Sequence, residues 1–500
     1  MTAHDAYDRL VAHHRQTALF GSALALLHWD QRTHIPEKGH DCRAEQVAAL
    51  ARLIHSRNTD PRLGDDLAAA AAGPAEPDSP RAANLREMRR AYDRAARIPE
   101  DLAAALALAC ARAESAWERA RPANDWKGFL PHLEEVLALR RQEAEAVGYA
   151  AEPYDALLDA YEPYATAADM VPLFAALRPA LVALLDRIRG SARRPDPALL
   201  RRPIPAAAQE AFARQVAQAI GYDFAAGRLD RTAHPFATRI APGDTRITTR
   251  FKEDRLAEAL FGVIHEAGHA LYEQGLPAGD FGLPTGEAVS LGLHESQSRL
   301  WENVTARSRG FWTHFLPLAQ EQLPALAGIP LDDFVFAVNE VTPGLIRVDA
   351  DEVTYNLHVL LRFELELALV RGDLPAADLP GAWNDAMRDT LGLTPPDFAS
   401  GVMQDVHWSA GLFGYFPTYT LGNVIAAQLA AAMRRDLGDP EPMHAKGDFA
   451  PQLAWLREKI HVHGSRYAPR DLVRRATGAE PDPAFLIRYL EEKYGALYGL

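Results

Sequence analysis

The chain has 500 residues, 48% of them hydrophobic and 24% charged, a balance typical of globular rather than disordered or fibrous proteins. Lys and Arg number 53 against 67 Asp and Glu, and the resulting net charge of −14 argues against nucleic acid as a partner. The two cysteines, Cys42 and Cys110, are too few for a disulfide framework. Because the N-terminus carries no signal-like segment and residues 18–29 are too short to span a membrane, we expect a cytoplasmic protein without a membrane partner.

Helix dominates the predicted secondary structure, because apolar residues recur at three- and four-residue spacing through much of the chain. This spacing predicts helices over 6–56, 84–118, 132–148, 167–189 and 206–220. Clusters of Gly and Pro predict breaks at 73–80, 193–205 and 437–442. The pattern as a whole favours a mainly α protein.

One strand and one further helix are predicted near the middle of the chain. From Asp244 to Phe251 apolar and polar residues alternate, with Ile247 and Phe251 on one face, which is typical of a β-strand. The segment 256–275 has an apolar stripe at helical spacing and is followed by Pro277, a helix-stop signal. We therefore predict a small β-sheet in the helical fold.

The motif His265-Glu266-Ala267-Gly268-His269 lies inside this helix and matches the pattern H-E-x-x-H. Residues four apart stack on one face of a helix, so both imidazoles can reach one ion. Glu266 is next to the first histidine, where its carboxylate can hold a metal-bound water and accept its proton. The pattern predicts a zinc hydrolase with Glu266 as the general base; the alternative is an ordinary pair of surface histidines.

A third metal ligand must come from elsewhere, since zinc in hydrolases usually has three protein ligands and one open position. Glu295 lies 26 residues beyond His269, which allows a loop and an antiparallel return. Glu302 shares a face with Glu295 and is the alternative ligand, whereas His294 points differently and is expected behind the ligands or in the core. Two histidines and one glutamate imply peptide-bond hydrolysis with Zn²⁺, for which Co²⁺ can substitute.

Six motifs follow one another along the chain: His234-Pro235-Phe236, Asp244-Thr245-Arg246-Ile247-Thr248, His265-Glu266-Ala267-Gly268-His269, His294-Glu295-Ser296-Gln297, Ile346-Arg347-Val348-Asp349-Ala350-Asp351 and Gly414-Tyr415-Phe416-Pro417-Thr418-Tyr419. Together they resemble the carboxypeptidase Taq family of zinc metallocarboxypeptidases, over nearly the whole chain. One mild departure is Asp349, where we would expect Glu.

This resemblance implies a large helical zincin-like metallopeptidase that forms a homodimer and has its small β-sheet beside the active-site groove. It implies His265, His269 and Glu295 as metal ligands. It also implies release of single C-terminal residues with broad specificity, disfavouring C-terminal proline. We treat the chain as one unit, with a helical N-terminal part at about 1–205 and a zinc-bearing catalytic part at about 206–500.

A carboxypeptidase must bind the free carboxylate of its substrate, which arginine does best through its planar fork. Arg347 in the fifth motif is the first candidate; the alternative for this residue is an ion pair with Asp349 or Asp351. Arg246 on the predicted strand is the second candidate, or equally a structural partner of Asp244. Peptides with a free C-terminal carboxylate are thus the expected partners.

Donors for a tetrahedral oxyanion are expected in the aromatic, glycine-rich segment 407–419. Such a segment alone is more often core packing, but the family resemblance favours His407 and Tyr419 near the metal. His234 in the first motif is a further substrate-binding candidate, or part of a structural turn.

Two other functions are compatible with the same motifs. A zinc oligopeptidase would cut internal bonds and would not need to hold a terminal carboxylate. A helical scaffold with an inactive site is the third interpretation, and Glu266 argues against it because an inactive site has no chemical need for that carboxylate.

Overall fold

The computed structural model describes residues 2–500, and the protein is 69% helical, which confirms the predicted mainly α class. The first helices are α1 (Ala3–Thr33), α2 (His40–Asn58), α3 (Pro61–Ala71), α4 (Pro80–Arg97), α5 (Glu100–Ala123), α6 (Trp126–Val147), α7 (Pro153–Leu158), α8 (Ala167–Gly190) and α9 (Ala206–Ala219). They are followed by α10 (Leu256–Gly275), α11 (Leu291–Arg299), α12 (Arg309–Gln322), α13 (Leu331–Val338), α14 (Thr354–Arg371), α15 (Leu379–Leu391), α16 (Pro417–Leu437), α17 (Glu441–His444), α18 (Ala450–Lys459), α19 (Pro469–Thr477) and α20 (Pro483–Tyr498).

Shorter helical turns lie between these elements. The 3₁₀ turns are Glu37–Gly39, Pro197–Leu200, Ala278–Asp280, Pro284–Gly286, Pro324–Leu326, Arg347–Asp349, Ala376–Asp378 and His461–Arg466. A π-helical turn, Leu300–Thr305, continues α11 directly.

Two of the predicted helices are each divided in the structure. The stretch predicted as one helix over 6–56 forms α1 and α2, which are separated by a turn containing Pro36. The stretch over 84–118 forms α4 and α5, which are separated at Pro99. Proline disfavours helical backbone at the residue before it, so these two predictions of unbroken helices were wrong. The other three stretches correspond to α6, α8 and α9.

A three-stranded sheet packs against α10 and contains the predicted strand at its centre. The strands are β1 (Gly227–Arg231), β2 (Phe236–Ala241) and β3 (Asp244–Thr249). β3 pairs in parallel with β1 and antiparallel with β2, and it ends at Thr249 rather than Phe251. The sequence did not predict β1, because its charged residues Arg228, Asp230 and Arg231 leave no apolar alternation.

One hydrophobic core extends from α5 to α20 and crosses the predicted boundary near residue 205. A smaller cluster joins α1, α3 and α4, whereas α2 buries none of its side chains. Among the helices of residues 2–500, α8 is long and apolar enough to cross a membrane, but its face with Leu177 and Leu181 is buried in the main core. Helices that pack in a protein core meet the same length and composition test.

Candidate metal centre

The two histidines of the H-E-x-x-H motif lie on α10 and face Glu295 on α11. The Nε2 atom of His269 is 3.3 Å from Oε2 of Glu295, and the Nε2 atom of His265 is 3.6 Å from it. All three donor atoms lie within 4.8 Å of one another. Metal–ligand bonds of about 2.0–2.2 Å at tetrahedral angles place neighbouring ligand atoms about 3.3–3.6 Å apart, so this donor set fits a divalent ion such as zinc.

Two glycines allow α11 to pack close enough to α10 and α16 to form this cluster. A Cβ added to Gly268 would lie 2.7 Å from the Cα of Ser298 on α11. A Cβ added to Gly422 on α16 would lie 2.7 Å from the Cβ of Glu295. Because both contacts are shorter than real Cβ atoms tolerate, only glycine at these positions permits the observed spacing of the three helices.

The outer ring nitrogen of each histidine has a partner of its own. Nδ1 of His265 is 2.9 Å from Oε2 of Glu302, and Nδ1 of His269 is 2.6 Å from Nδ1 of His294. His294 in turn lies 2.9 Å from Oε1 of Glu273. Partners of this kind fix ring orientation and leave Nε2 free to coordinate a metal ion. The structure therefore places Glu302 and His294 behind the donor cluster.

Arginines neutralise the two glutamates of α11 and its π-helical turn. The Nε atom of Arg299 donates to Oε1 of Glu295 at 2.7 Å, and Arg307 and Arg299 each lie 3.3 Å from Glu302. Burial opposes ionisation of Glu302, but Arg299 and the hydrogen bond with His265 lower its pKa to about 2. Burial likewise opposes ionisation of Glu295, but Arg299 and then His265 hold its pKa well below the usual value. Both carboxyl groups are thus anionic at neutral pH.

Glu266 is buried beside the cluster, and burial raises its pKa to about 7 against the opposing effect of His265. A carboxylate with a pKa near neutrality is a better proton acceptor than an ordinary glutamate. Burial lowers the pKa of His269 to about 4, which keeps its ring neutral, the form that binds metal.

The segment predicted to supply oxyanion donors brings His407 and Tyr419 together. Nε2 of His407 lies 3.2 Å from the hydroxyl of Tyr419, and its ring stacks on Phe416. Burial lowers the pKa of His407 to about 3 and raises that of Tyr419 well above the usual range, so both are uncharged at neutral pH. The ring of Tyr419 lies 6.1 Å from that of Tyr355, and the centroid of the Tyr355 ring is 4.3 Å from the guanidinium of Arg299, which donates to Glu295.

Arg347 is buried and pairs with Asp405 rather than with Asp349 or Asp351, the partners that the sequence led us to consider. Its Nε and Nη2 atoms lie 3.0 and 2.8 Å from one oxygen of Asp405, and Arg362 binds the other oxygen at 2.7 Å. Two buried guanidinium groups therefore share one carboxylate.

Sequence reasoning missed four side chains around Arg347, which are Asp405, Arg362, Tyr355 and Gln404. Nη1 of Arg347 donates to the hydroxyl of Tyr355 at 3.1 Å, and Gln404 accepts from the backbone N–H of Arg347 at 2.9 Å. Gln404 and Asp405 lie only three and two residues before His407. The sequence could have pointed to Asp405, because it is the nearest carboxylate before the aromatic segment 407–419.

The remaining substrate-binding candidates lie at the sheet. Both oxygens of Asp244 accept from Arg246 at 2.7 Å, and the Arg246 guanidinium lies 4.1 Å from the ring centroid of Trp29. This geometry favours the structural partnership with Asp244 that the sequence left open. His234 is exposed in the bend between β1 and β2. No hydrogen bond, ion pair or ring contact in residues 2–500 joins His234 to the donor cluster, so its role stays a prediction.

The fold and the donor set define the class of protein as a helical, zincin-like metallopeptidase. The pattern of the carboxypeptidase Taq (M32) metallopeptidases matches residues 9–494 of the sequence. The chain belongs to this family.

Relatives in sequence and in structure match the chain over nearly its whole length. It is 55% identical to thermostable carboxypeptidase 1 of Thermus thermophilus, with 100% of each chain covered, and 40% identical to carboxypeptidase 1 of Bacillus subtilis, with 96% of each covered. The crystal structure of the M32 carboxypeptidase from Deinococcus radiodurans superimposes with a TM-score of 0.96 at 41% identity, covering 99% of this chain and 100% of the other. Trypanosoma cruzi metallocarboxypeptidase 1 gives a TM-score of 0.94 at 37% identity, covering 98% and 99%.

Proposed function

We propose that this protein releases single amino acids from the C-terminus of peptides, with zinc bound by His265, His269 and Glu295. The observation that carries this proposal is the convergence of the three donor atoms within 4.8 Å beside Glu266, in a chain whose relatives are named carboxypeptidases. A divalent ion in this position supplies Lewis-acid chemistry, polarising a carbonyl group and lowering the pKa of a water ligand. The two imidazoles and one carboxylate suit zinc, and cobalt is the expected substitute.

The surrounding side chains supply the proton transfers of the reaction. Glu266 accepts a proton from the attacking water and delivers it to the leaving amine, for which a pKa of about 7 is well suited. His407 and Tyr419 are uncharged donors that stabilise the carbonyl oxygen as it gains negative charge. Glu266 and His407 are buried and Tyr419 is half-buried, and exclusion of water strengthens such electrostatic interactions.

Charge around Arg347 supports binding of the terminal carboxylate there. Arg347 and Arg362 carry two positive charges and share the single negative charge of Asp405, while burial lowers the pKa of the nearby His358 and His407 to about 3 and keeps them neutral. One buried positive charge is therefore uncompensated among these groups, and an anionic substrate group would neutralise it. Because Asp405 occupies Nε and Nη2 of Arg347, we propose that the substrate meets the Nη1 side, next to Tyr355.

The exopeptidase proposal is tested with paired peptides that differ only in a free or amidated C-terminus. Mass spectrometry after incubation with the zinc-loaded enzyme should show stepwise loss of C-terminal residues from the free acid and no product from the amide. Internal cleavage of both peptides would instead support the alternative, a zinc oligopeptidase. Metal analysis of the same sample should give one zinc per chain, and cobalt should restore activity to the metal-stripped protein.

We propose broad specificity for the departing residue, with proline disfavoured, on the strength of the family resemblance. Proline forms a tertiary amide without an N–H group and with restricted backbone angles, so it differs from every other residue at the scissile bond. A peptide series that varies only in the last residue should give similar kcat/KM values except for proline. A single strongly preferred residue would contradict this part of the proposal.

We also propose a cytoplasmic homodimer. Leu19 and Leu26 on α1 and Leu53 on α2 are 62%, 39% and 40% exposed, and we propose that this apolar surface on two packed helices contacts a second copy of the chain. Cys42 and Cys110 are free thiols, as suits a reducing compartment. Light scattering should give twice the chain mass. The double substitution Leu19→Glu/Leu53→Glu should shift the measured mass towards that of the monomer. Cell fractionation tests the cytoplasmic location.

A further inference from the structure

The first turn of α11, the helix that carries Glu295, is held by a segment from the N-terminal part of the chain. The backbone N–H of Leu291 donates to the carbonyl of Tyr161 at 3.0 Å, and that of Gly292 donates to Oε2 of Glu162 at 3.0 Å. The N–H of Leu293 donates to the Ser290 hydroxyl at 3.1 Å. The first N–H groups of a helix have no partner within it, and here three in succession have outside acceptors.

Glu162 is buried at this contact. The residue is 3% exposed, and its Oε2 atom accepts the N–H of Gly292. A Cβ added to Gly292 would lie 2.7 Å from Oε2 of Glu162 and 3.0 Å from Leu421, so glycine is needed for the carboxylate to reach the backbone. Burial raises the pKa of Glu162 to about 7 against the opposing effect of the Gly292 N–H, so the carboxyl group is partly ionised at neutral pH, and its ionised form is the one that a helix N-terminus favours.

The position of Glu295 follows from the position of this first turn. Gly292 lies three residues before Glu295, and α11 is closely packed between Gly268 of α10 and Gly422 of α16. The close contacts at Gly268 and Gly422 oppose movement of α11 towards either neighbour, so we expect a displaced first turn to move the helix along its axis. Such a shift would change the distance from Glu295 to both histidines.

We propose that Glu162 is a positioning residue for the metal site, fixing the first turn of α11 and thereby the distance of Glu295 from His265 and His269. The inference rests on the proposed function, because it takes these three residues as the ligands. The same segment reaches the aromatic segment 407–419, since the ring of Tyr161 lies 5.1 Å from that of Tyr415.

Measurements of metal affinity distinguish the positioning role of Glu162 from a simple contribution to the stability of the fold. The full-length protein is stripped of metal, and its zinc affinity is measured by titration with zinc in competition with a chromophoric chelator. The same protein loaded with cobalt gives an absorption spectrum that reports the geometry of the metal ligands. Glu162→Gln should weaken zinc binding about tenfold, the lower end of what partners of metal ligands contribute, and should shift the cobalt bands.

Glu441→Gln is the matched control. Oε2 of Glu441 accepts from the backbone N–H of Gly310, the second residue of α12, as Glu162 does from Gly292 of α11, and a Cβ added to Gly310 would lie 2.7 Å from that oxygen. This variant should lower the melting temperature and leave zinc affinity and the cobalt spectrum unchanged.

A second pair of variants keeps the test decisive if Glu162→Gln does not fold. Gly292→Ala retains the carboxyl group of Glu162 but displaces it from the backbone N–H of residue 292, and should also weaken zinc binding. Shortening the acid in the double variant Gly292→Ala/Glu162→Asp makes room for the methyl group and should recover part of the affinity.

The outcomes distinguish the inference from the proposed function. Wild-type zinc affinity and an unchanged cobalt spectrum in Glu162→Gln, or in Gly292→Ala if the first variant fails to fold, would overturn the positioning role. A wild-type protein that binds no stoichiometric zinc would instead overturn the metal site itself.

Discussion

Glu266 is buried next to His265 on α10 and Glu302 contacts Nδ1 of His265, and the two glutamates should respond differently to substitution. Glu266→Gln removes a proton acceptor without removing a ligand, so zinc content should stay near one per chain while kcat falls by about 10²–10⁴. Glu302→Gln weakens the hydrogen bond between Glu302 and Nδ1 of His265, so zinc affinity should fall by about 10–100-fold.

Metal analysis and steady-state kinetics on the same preparations check both results. Glu295→Ala serves as the reference for loss of a ligand and should lower zinc occupancy further than Glu302→Gln does. Zinc loss in Glu266→Gln with high residual activity would reverse the assignment of base and ligand. Stronger zinc loss in Glu302→Gln than in Glu295→Ala would make Glu302 the third ligand.

At the scale of elements, the spacing of α10 and α11 depends on Gly268. In Gly268→Ala the new methyl group meets backbone atoms of Gln297 and Ser298 at 2.7–3.1 Å, and backbone cannot rotate away as a flexible side chain can. We expect the helices to separate, with a loss of about 1–3 kcal/mol in the free energy of unfolding and weaker zinc binding.

Gly495→Ala on α20 is the control for this substitution. A Cβ at Gly495 meets nothing within 4 Å, so the higher helix propensity of alanine should stabilise the protein by about 0.5–1 kcal/mol. Denaturant unfolding measures both variants. Equal effects of the two substitutions would show that the close contact of α10 and α11 is unimportant.

Sequence alone predicts what lies within one element better than what lies between elements. His265 and His269 could be paired because both are on α10, four residues apart, and β3 could be predicted from its alternation. The contact of Arg347 with Asp405 joins residues 58 apart, and no local period encodes it. The two outer strands were missed for a related reason, since pairing with β3 rather than their own composition holds them in the sheet.

At the scale of the whole molecule, the core that crosses residue 205 also contains buried carboxyl groups. Glu366 on α14 is fully buried and accepts from the hydroxyl of Tyr154 at 2.7 Å and from the indole of Trp408 at 3.2 Å. It therefore links the N-terminal part of the chain, through α7, to the segment that carries His407. Burial raises the pKa of Glu366 from 4.5 to about 8, against the effect of these hydrogen bonds.

This raised pKa makes global stability depend on pH with a definite sign. The folded protein binds a proton at Glu366 that the unfolded chain releases, so the stability from this group is complete below pH 4.5 and is lost as pH rises through 8. Relative to Glu366→Gln, whose amide does not titrate, the wild type should lose about 1.4 kcal/mol of unfolding free energy per pH unit within that window. Urea unfolding at pH 5, 6, 7 and 8 measures the difference. Glu364→Gln is the control, because the side chain of Glu364 lies on the same helix and is 54% exposed. Its unfolding free energy should change with pH in parallel with that of the wild type. A parallel change in Glu366→Gln as well would contradict the prediction.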